Sequence, residues 1–208
     1  MLKTGHFHFA VTILFFCKIT FSLSIVVYTK LLQQFMQNAI ILLHICCGVC
    51  ASSCVKRLRG DGFEPIGFFY NPNIHPEEEY KRRLEATKAL GGAMGFSLIE
   101  GDYEKEKWLE LTRGFEKEPE GGRRCEVCFR MRLEKTFQKS KELNLPFTTT
   151  LSVSPYKDSR LINSIGKGFE GFQEYNFKKK DGFKKSITLG KRLNLYHQNY
   201  CGCIQNED

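Results

Sequence analysis

Short unbroken apolar runs alternating with helix-compatible stretches constrain this chain more than any other feature. AIILLHI at 39–45 is rich in branched side chains, as a strand covered on both faces requires. A helix over 50–59 closes at Gly60, and FEPIGFFY at 63–70 reads as a second strand before the loop NPNIHP. Positions 77–90 form a helix with acids first and basic residues after, stopped by Gly91-Gly92. FSLIEGD at 96–102 is a third strand, and 104–115 a helix carrying Trp108 and Leu111. The loop EKEPEGGRR leads to a helix from about 126 to 143, halted by Pro146. FTTTLSVS at 147–154 is a fourth strand, 158–169 a helix, and a basic segment closes the chain. This alternation predicts an α/β fold, with βαβ units, a parallel sheet flanked by helices and right-handed crossovers. Its site is expected beyond the carboxyl ends of the strands, near a topological switch point.

The first 35 residues read differently. They hold Lys3, Lys18 and Lys30 and no acid, and 9–28 is apolar apart from Lys18 and a few hydroxyls. Such a run is long enough to span a bilayer but lacks the short apolar centre and cleavage site of a secretory signal. Three readings stay open for this extension: an over-extended start, a membrane-associated tail or an integral helix. Residues 36–208 are expected to be a single catalytic domain with no stable membrane partner and a cytoplasmic location.

The 208 residues are 42% apolar and 26% charged, a globular balance that excludes wholesale disorder and fibrous repeats. A domain of this size holds a core without staples, so its nine cysteines need another explanation. Cys46, Cys47, Cys50 and Cys54 follow the first strand; Cys125 and Cys128 form C-x-x-C just before a helix; Cys201 and Cys203 form C-x-C near the end. Core packing suits Cys54 and Cys50. It suits adjacent Cys46 and Cys47 poorly, since both cannot point into one core from a turn. Thiols at strand ends and helix starts are disposed to ionise, and thiolate is the form that binds metal or attacks disulfides. Thiolates converging from separate turns, with only His44, His75 and His197 in the domain, suit an iron–sulfur cluster better than zinc. The net charge of +8, of which +5 lies beyond residue 35, adds a modest bias toward polyanionic partners.

LLHICCGVC at 42–50, YNPNIHPEEEYKRR at 70–83, EGGRRCEVCFRMRL at 120–133, TTTLSVSPYKD at 148–158 and YCGC at 200–203 together resemble the QueH type of epoxyqueuosine reductase. The departures are the amino-terminal extension and Gly48-Val49, where a small-Pro pair is common. The resemblance implies two-electron reduction of epoxyqueuosine to queuosine at the wobble position of tRNA, the epoxide oxygen leaving as water. It implies a Rossmann-like sheet related to the adenine-nucleotide alpha-hydrolase (HUP) fold. Cys46-Cys47-Gly48 stands where the ATP-using relatives of that fold carry a phosphate turn, so no ATP use is expected.

The resemblance also implies a [4Fe-4S] cluster on Cys46, Cys47, Cys125 and Cys128. Cys201 and Cys203 are implied as the catalytic pair, either a redox-active dithiol or metal ligands of an adjacent iron ion. A carboxylate is implied for that iron, with Asp102 at the third strand's end the first choice and Asp158 the second. A turn residue and a helix N-cap are their respective plain alternatives. Arg123 and Arg124, and beyond them Arg130, Arg132 and KKKDGFKKS at 178–186, are candidate tRNA anchors beside the metal site. Phe129 and Phe183 are expected in the core. His44, His75, Tyr70 and Tyr156 are conceivable proton donors among which the sequence does not choose, and the electron donor is unidentified. Two rival readings remain: a metal-free thiol oxidoreductase, and a zinc-stabilised RNA-binding module without catalysis.

Overall fold

The computed structural model describes residues 39–203; the readings for residues 1–35 lie outside them. β1 (Ala39–His44), β2 (Phe63–Phe69), β3 (Leu98–Glu100) and β4 (Phe147–Thr149) form one parallel sheet in the order β3-β2-β1-β4. The expected Rossmann-like α/β architecture is therefore present. Ile41 and Leu43 face one core with Val55, Leu58 and Leu90, while Leu42 faces the other with Phe129, Leu133 and Phe147. Burial on both faces explains the unbroken apolar run, each such side chain contributing roughly 1.5–3 kcal/mol.

The helices are α1 (Gly48–Gly60), α2 (Glu77–Met94), α3 (Lys105–Leu111), α4 (Arg123–Leu143), α5 (Ser159–Gly166) and α6 (Gly182–Arg192). Several boundaries differ from the sequence reading; β3 is only Leu98–Glu100 and α3 stops at Leu111. Gly91-Gly92 does not stop α2: Gly91 is buried against Phe96, and the helix ends at Gly95, whose left-handed φ of 66° lets its N–H cap the Gly91 carbonyl. α4 starts before Cys125, so its C-x-x-C lies in the helix's first turns. β4 pairs with β1 over only three residues, then Thr149 caps a 3-10 turn, Thr150–Val153, by accepting from the Leu151 N–H at 3.1 Å. The closing basic segment forms α6. Among the described residues no helix is long and apolar enough to cross a membrane.

The chain leaves β1 for β2 on one side, and β4 returns on the other side of β1. The carboxyl ends of β1 and β4 are thus the switch point, where such sheets hold ligands. Gly48 opens α1 there because a Cβ would sit 2.5 Å from the Ala86 carbonyl oxygen of α2.

Candidate metal centre

Cys46 follows the end of β1, and Cys47 caps α1, its sulfur accepting the Cys50 N–H at 3.4 Å. Thr150, just past β4, accepts the Cys46 N–H at 3.0 Å and donates its hydroxyl to the Cys46 sulfur at 3.3 Å. The sulfurs of Cys46, Cys47 and Cys50 all lie within 4.8 Å of one another. Cys50, which the sequence left open between core and site, is therefore a member of the thiol group. Cys54, one turn further, is fully buried and donates to the Cys50 carbonyl at 3.2 Å, as a core thiol should.

Cys125 and Cys128 project from one face of α4 into the core cluster that holds Trp108 and Cys203, with Cys46 and Cys201 packed against it. The Gly121 N–H donates to the Cys125 sulfur at 3.2 Å. The C-terminal pair reaches this place through a clamp. Arg83 donates to the carbonyls of Cys201 at 2.8 Å and Tyr200 at 3.2 Å, and the His75 N–H to that of Gly202 at 2.9 Å. Gly202, at φ 94°, passes so close that an added Cβ would lie 3.1 Å from the Arg83 guanidinium. Glu79 holds Arg83 at 2.6 Å, both side chains 4% exposed, and accepts the Tyr196 hydroxyl at 2.6 Å. Arg83→Met is expected to lower stability by about 3–5 kcal/mol by leaving Glu79 buried without its cation. Cys201 also loses one of the cations that hold it ionised, so at neutral pH it should alkylate more slowly. A thermal melt and an iodoacetamide time course check both, and Glu79→Gln in the Arg83→Met background should recover part of the loss.

Two cations face the sulfurs. Arg132 is 2% exposed, and its Nη2 has no hydrogen-bond partner among the described residues. Burial opposes its charge, but Cys128, Cys201, Cys46 and Cys203 around it hold the guanidinium ionised. Lys157 is likewise held charged against burial by Cys201 and Cys46. The Cys46 thiol is held well below its ordinary range because Cys47 and Cys50 donate to it, with Thr150 and Lys157 adding. Cys47 in turn is pushed up to about 12 by its bond to Cys46. Cys201 is held low by the Cys203 thiol, then by Lys157, Arg132 and Arg83, and Cys203 is raised in consequence. Cys46, Cys50, Cys201, Arg83, Arg132 and Lys157 line one cavity of about 190 Å³.

The other candidates fall elsewhere. Asp102 is corrected: its side chain is 87% exposed, 4.0 Å from Lys135, and outside the cavity lining. The strand end that carries it turns to solvent; Glu120, 3.9 Å from Lys157, is the carboxylate on the cavity wall. Asp158 is the N-cap of α5, accepting the Arg160 N–H at 2.8 Å. Arg124 is buried and spends Nη1 on the Glu116 carbonyl at 2.7 Å, so it holds the loop before α4 and is not a free RNA anchor; Arg123 beside it is exposed. Arg132, another candidate anchor, is buried among thiols. Phe129 is in the core, whereas Phe183 lines the cavity. His44 is a satisfied core residue: Nε2 donates to the Tyr70 carbonyl at 3.0 Å, so Nδ1 accepts the Thr149 hydroxyl at 2.8 Å. Burial lowers its pKa to about 4, keeping it neutral. Burial does the same to His75, also to about 4. Tyr70 donates to Glu104 at 2.7 Å, and Tyr156 is 71% exposed.

A parallel sheet that gathers thiols from three separate stretches at its switch point defines a Rossmann-like α/β protein with a thiol-lined site. The family model described as "Epoxyqueuosine reductase QueH" matches residues 41–208. Proteins named epoxyqueuosine reductase QueH are similar: one from Histophilus somni is 37% identical over 171 residues, covering 79% of this chain and 70% of its own length. One from Thermotoga maritima is 35% identical over 173 residues, covering 79% and 88%. One from Helicobacter pylori is 40% identical over 178 residues, covering 78% and 48%. The chain belongs to the epoxyqueuosine reductase QueH family and is an oxidoreductase.

Proposed function

We propose that this chain reduces epoxyqueuosine to queuosine at the wobble position of tRNA, in the biosynthesis of that nucleoside. The step consumes two electrons and two protons: both C–O bonds of the epoxide break, a carbon–carbon double bond forms, and the oxygen leaves as water. The observation that carries the reading is the gathering of three stretches of chain at one place: Cys125, Cys128 and Cys203 share a core cluster with Cys46 and Cys201 packed against it, and Cys46 and Cys201 line one cavity with the buried Arg132. A guanidinium this poorly hydrated, with Nη2 unpartnered among the described residues, needs anionic partners, and thiolates bound to metal would supply them. The donor set thus fits an iron–sulfur group.

Cys46, Cys47, Cys125 and Cys128 would hold a [4Fe-4S] cluster, and Cys201 with Cys203 an adjacent iron ion or a redox dithiol. Iron so held relays electrons and offers Lewis acidity toward oxygen. The chain's own residues do the rest. Lys157 presents N–H donors to the cavity where oxygen must leave, Arg132 balances the sulfur charge, and the Arg83 clamp fixes Cys201. Exposed Arg123 remains the proposed contact to RNA at the rim. A second reading rests on the close Cys46, Cys47 and Cys50 group, which makes Cys50 a metal ligand.

The test is an anaerobic assay with dithionite and epoxyqueuosine-containing tRNA, reading nucleosides by mass spectrometry and iron and sulfide by analysis. Queuosine formed by iron-loaded protein is the expected result. Turnover by colourless, iron-free protein would move the chemistry to the Cys201–Cys203 dithiol, and zinc with RNA binding but no turnover would leave a binding module.

A further inference from the structure

The larger cavity is not at the cysteines. About 660 Å³ in volume, it lies between α1 and the start of α6. Lys56 and Arg57 line it from α1, and Lys179, Lys180, Lys184 and Lys185 from the turn into α6, against the single acid Asp181. Among the described residues only Arg57 of these six has an acidic partner, Asp61 at 3.3 Å. Elsewhere on the surface several lysines are neutralised, Lys81 by Glu77, Lys88 by Glu85, Lys139 by Glu142 and Lys167 by Glu174, whereas the other five cations here gather in one cleft without an acidic partner among the described residues. Lys180 and Asp181 are both left-handed at φ 59°, a costly way to turn two non-glycine residues, and the turn presents the lysines on either side of it. The cleft and the cysteine cavity share a wall, since Phe183 lines one and its neighbours Gly182 and Lys184 the other.

We infer that this cleft is a binding site for the phosphodiester backbone of RNA, holding the strand beside the nucleoside that enters the cysteine cavity. The inference rests on the RNA-reductase reading but is read by binding alone. A concave row of cations, all but Arg57 without an acidic partner among the described residues, suits a strand of phosphates, each neutralised by a point charge with release of counterions. It suits a flat bilayer poorly, and the cleft offers no exposed aromatic side chain to insert into one.

The test is fluorescence anisotropy with a labelled, unmodified tRNA transcript over a salt series, using the full chain. The cleft lysines Lys179 and Lys184 are exposed, so Lys179→Glu/Lys184→Glu should fold, which a thermal melt checks. The expected result is at least roughly tenfold weaker binding and a salt slope smaller by about two, one for each lysine. Lys141→Glu/Lys191→Glu, with the same change of charge outside the cleft, should bind within about twofold of the parent. Equal binding by the cleft variant, equal loss in the control, or affinity for phosphatidylserine vesicles in place of RNA would each overturn the inference. Failure of the parent chain to form queuosine while the cleft still binds RNA would instead sink the reductase reading.

Discussion

Replacing Cys46 by serine is expected to cut queuosine formation by well over roughly a hundredfold, the upper end of what loss of a supporting residue costs a metal site. The expectation follows from its place. Cys46 leaves the central strand at the switch point, is fixed by Thr150 of the neighbouring strand's turn, and accepts from both Cys47 and Cys50. A serine hydroxyl keeps the volume but does not ionise near neutrality and is a poor ligand for iron. The same loss is expected for serine at Cys47, Cys125, Cys128, Cys201 and Cys203. Cys54→Ser should stay active, because that thiol is buried in the core and its bond to the Cys50 carbonyl survives in a hydroxyl. Nucleoside mass spectrometry and iron content read all seven variants, and full turnover in Cys46→Ser would remove that sulfur from the centre. Cys50→Ser separates the two ligand sets: loss of iron there places Cys50 among the ligands, and full retention leaves it outside.

The sheet was legible because its strands are buried on both faces, so that 39–45 and 63–70 could hardly pack otherwise. β4 was overrun because Thr150–Val153 leaves the ladder to build the switch-point turn, a tertiary demand that Thr-rich β-propensity hides. The three cysteine groups were visible as spacing, and the structure seats them in one region. Cys50 stayed open between core and site, although Cys47-x-x-Cys50 repeats at a helix start the spacing of Cys125-x-x-Cys128. Arg132 and Lys157 carry no local mark at all, since an arginine that surfaces on a helix and one that turns inward look alike in sequence. Asp102 failed for the converse reason: a position at a strand end says where the backbone goes, not where the side chain points.

Arg132→Met is expected to be the most damaging change outside the cysteines. The guanidinium is buried among four thiols, bonded through Nε to the Cys128 carbonyl at 3.1 Å, with Nη2 left for the centre. Removing one partner of such a group strands the opposite charge in a poorly hydrated interior, at a cost of about 3–5 kcal/mol. For a domain of this size that is a fall in melting temperature on the order of 10 °C. The electrostatic consequence has a definite sign. Arg132 helps hold Cys201 in its thiolate form and partly offsets the burial that raises Cys128, so without it both should ionise only at higher pH. In iron-free protein the pH midpoint of Cys201 alkylation should move upward, and at neutral pH the rate should drop. Iron binding, which competes with protons for the same sulfurs, should weaken in parallel. Arg132→Lys, which keeps the charge and loses the fork of donors, should recover part of the alkylation midpoint but little of the Cys128 carbonyl bond. An Arg132→Met protein with unchanged melting temperature, iron content and alkylation profile would show that the sulfurs do not depend on this cation, and the case for one anionic centre built from three stretches of chain would lose its main support.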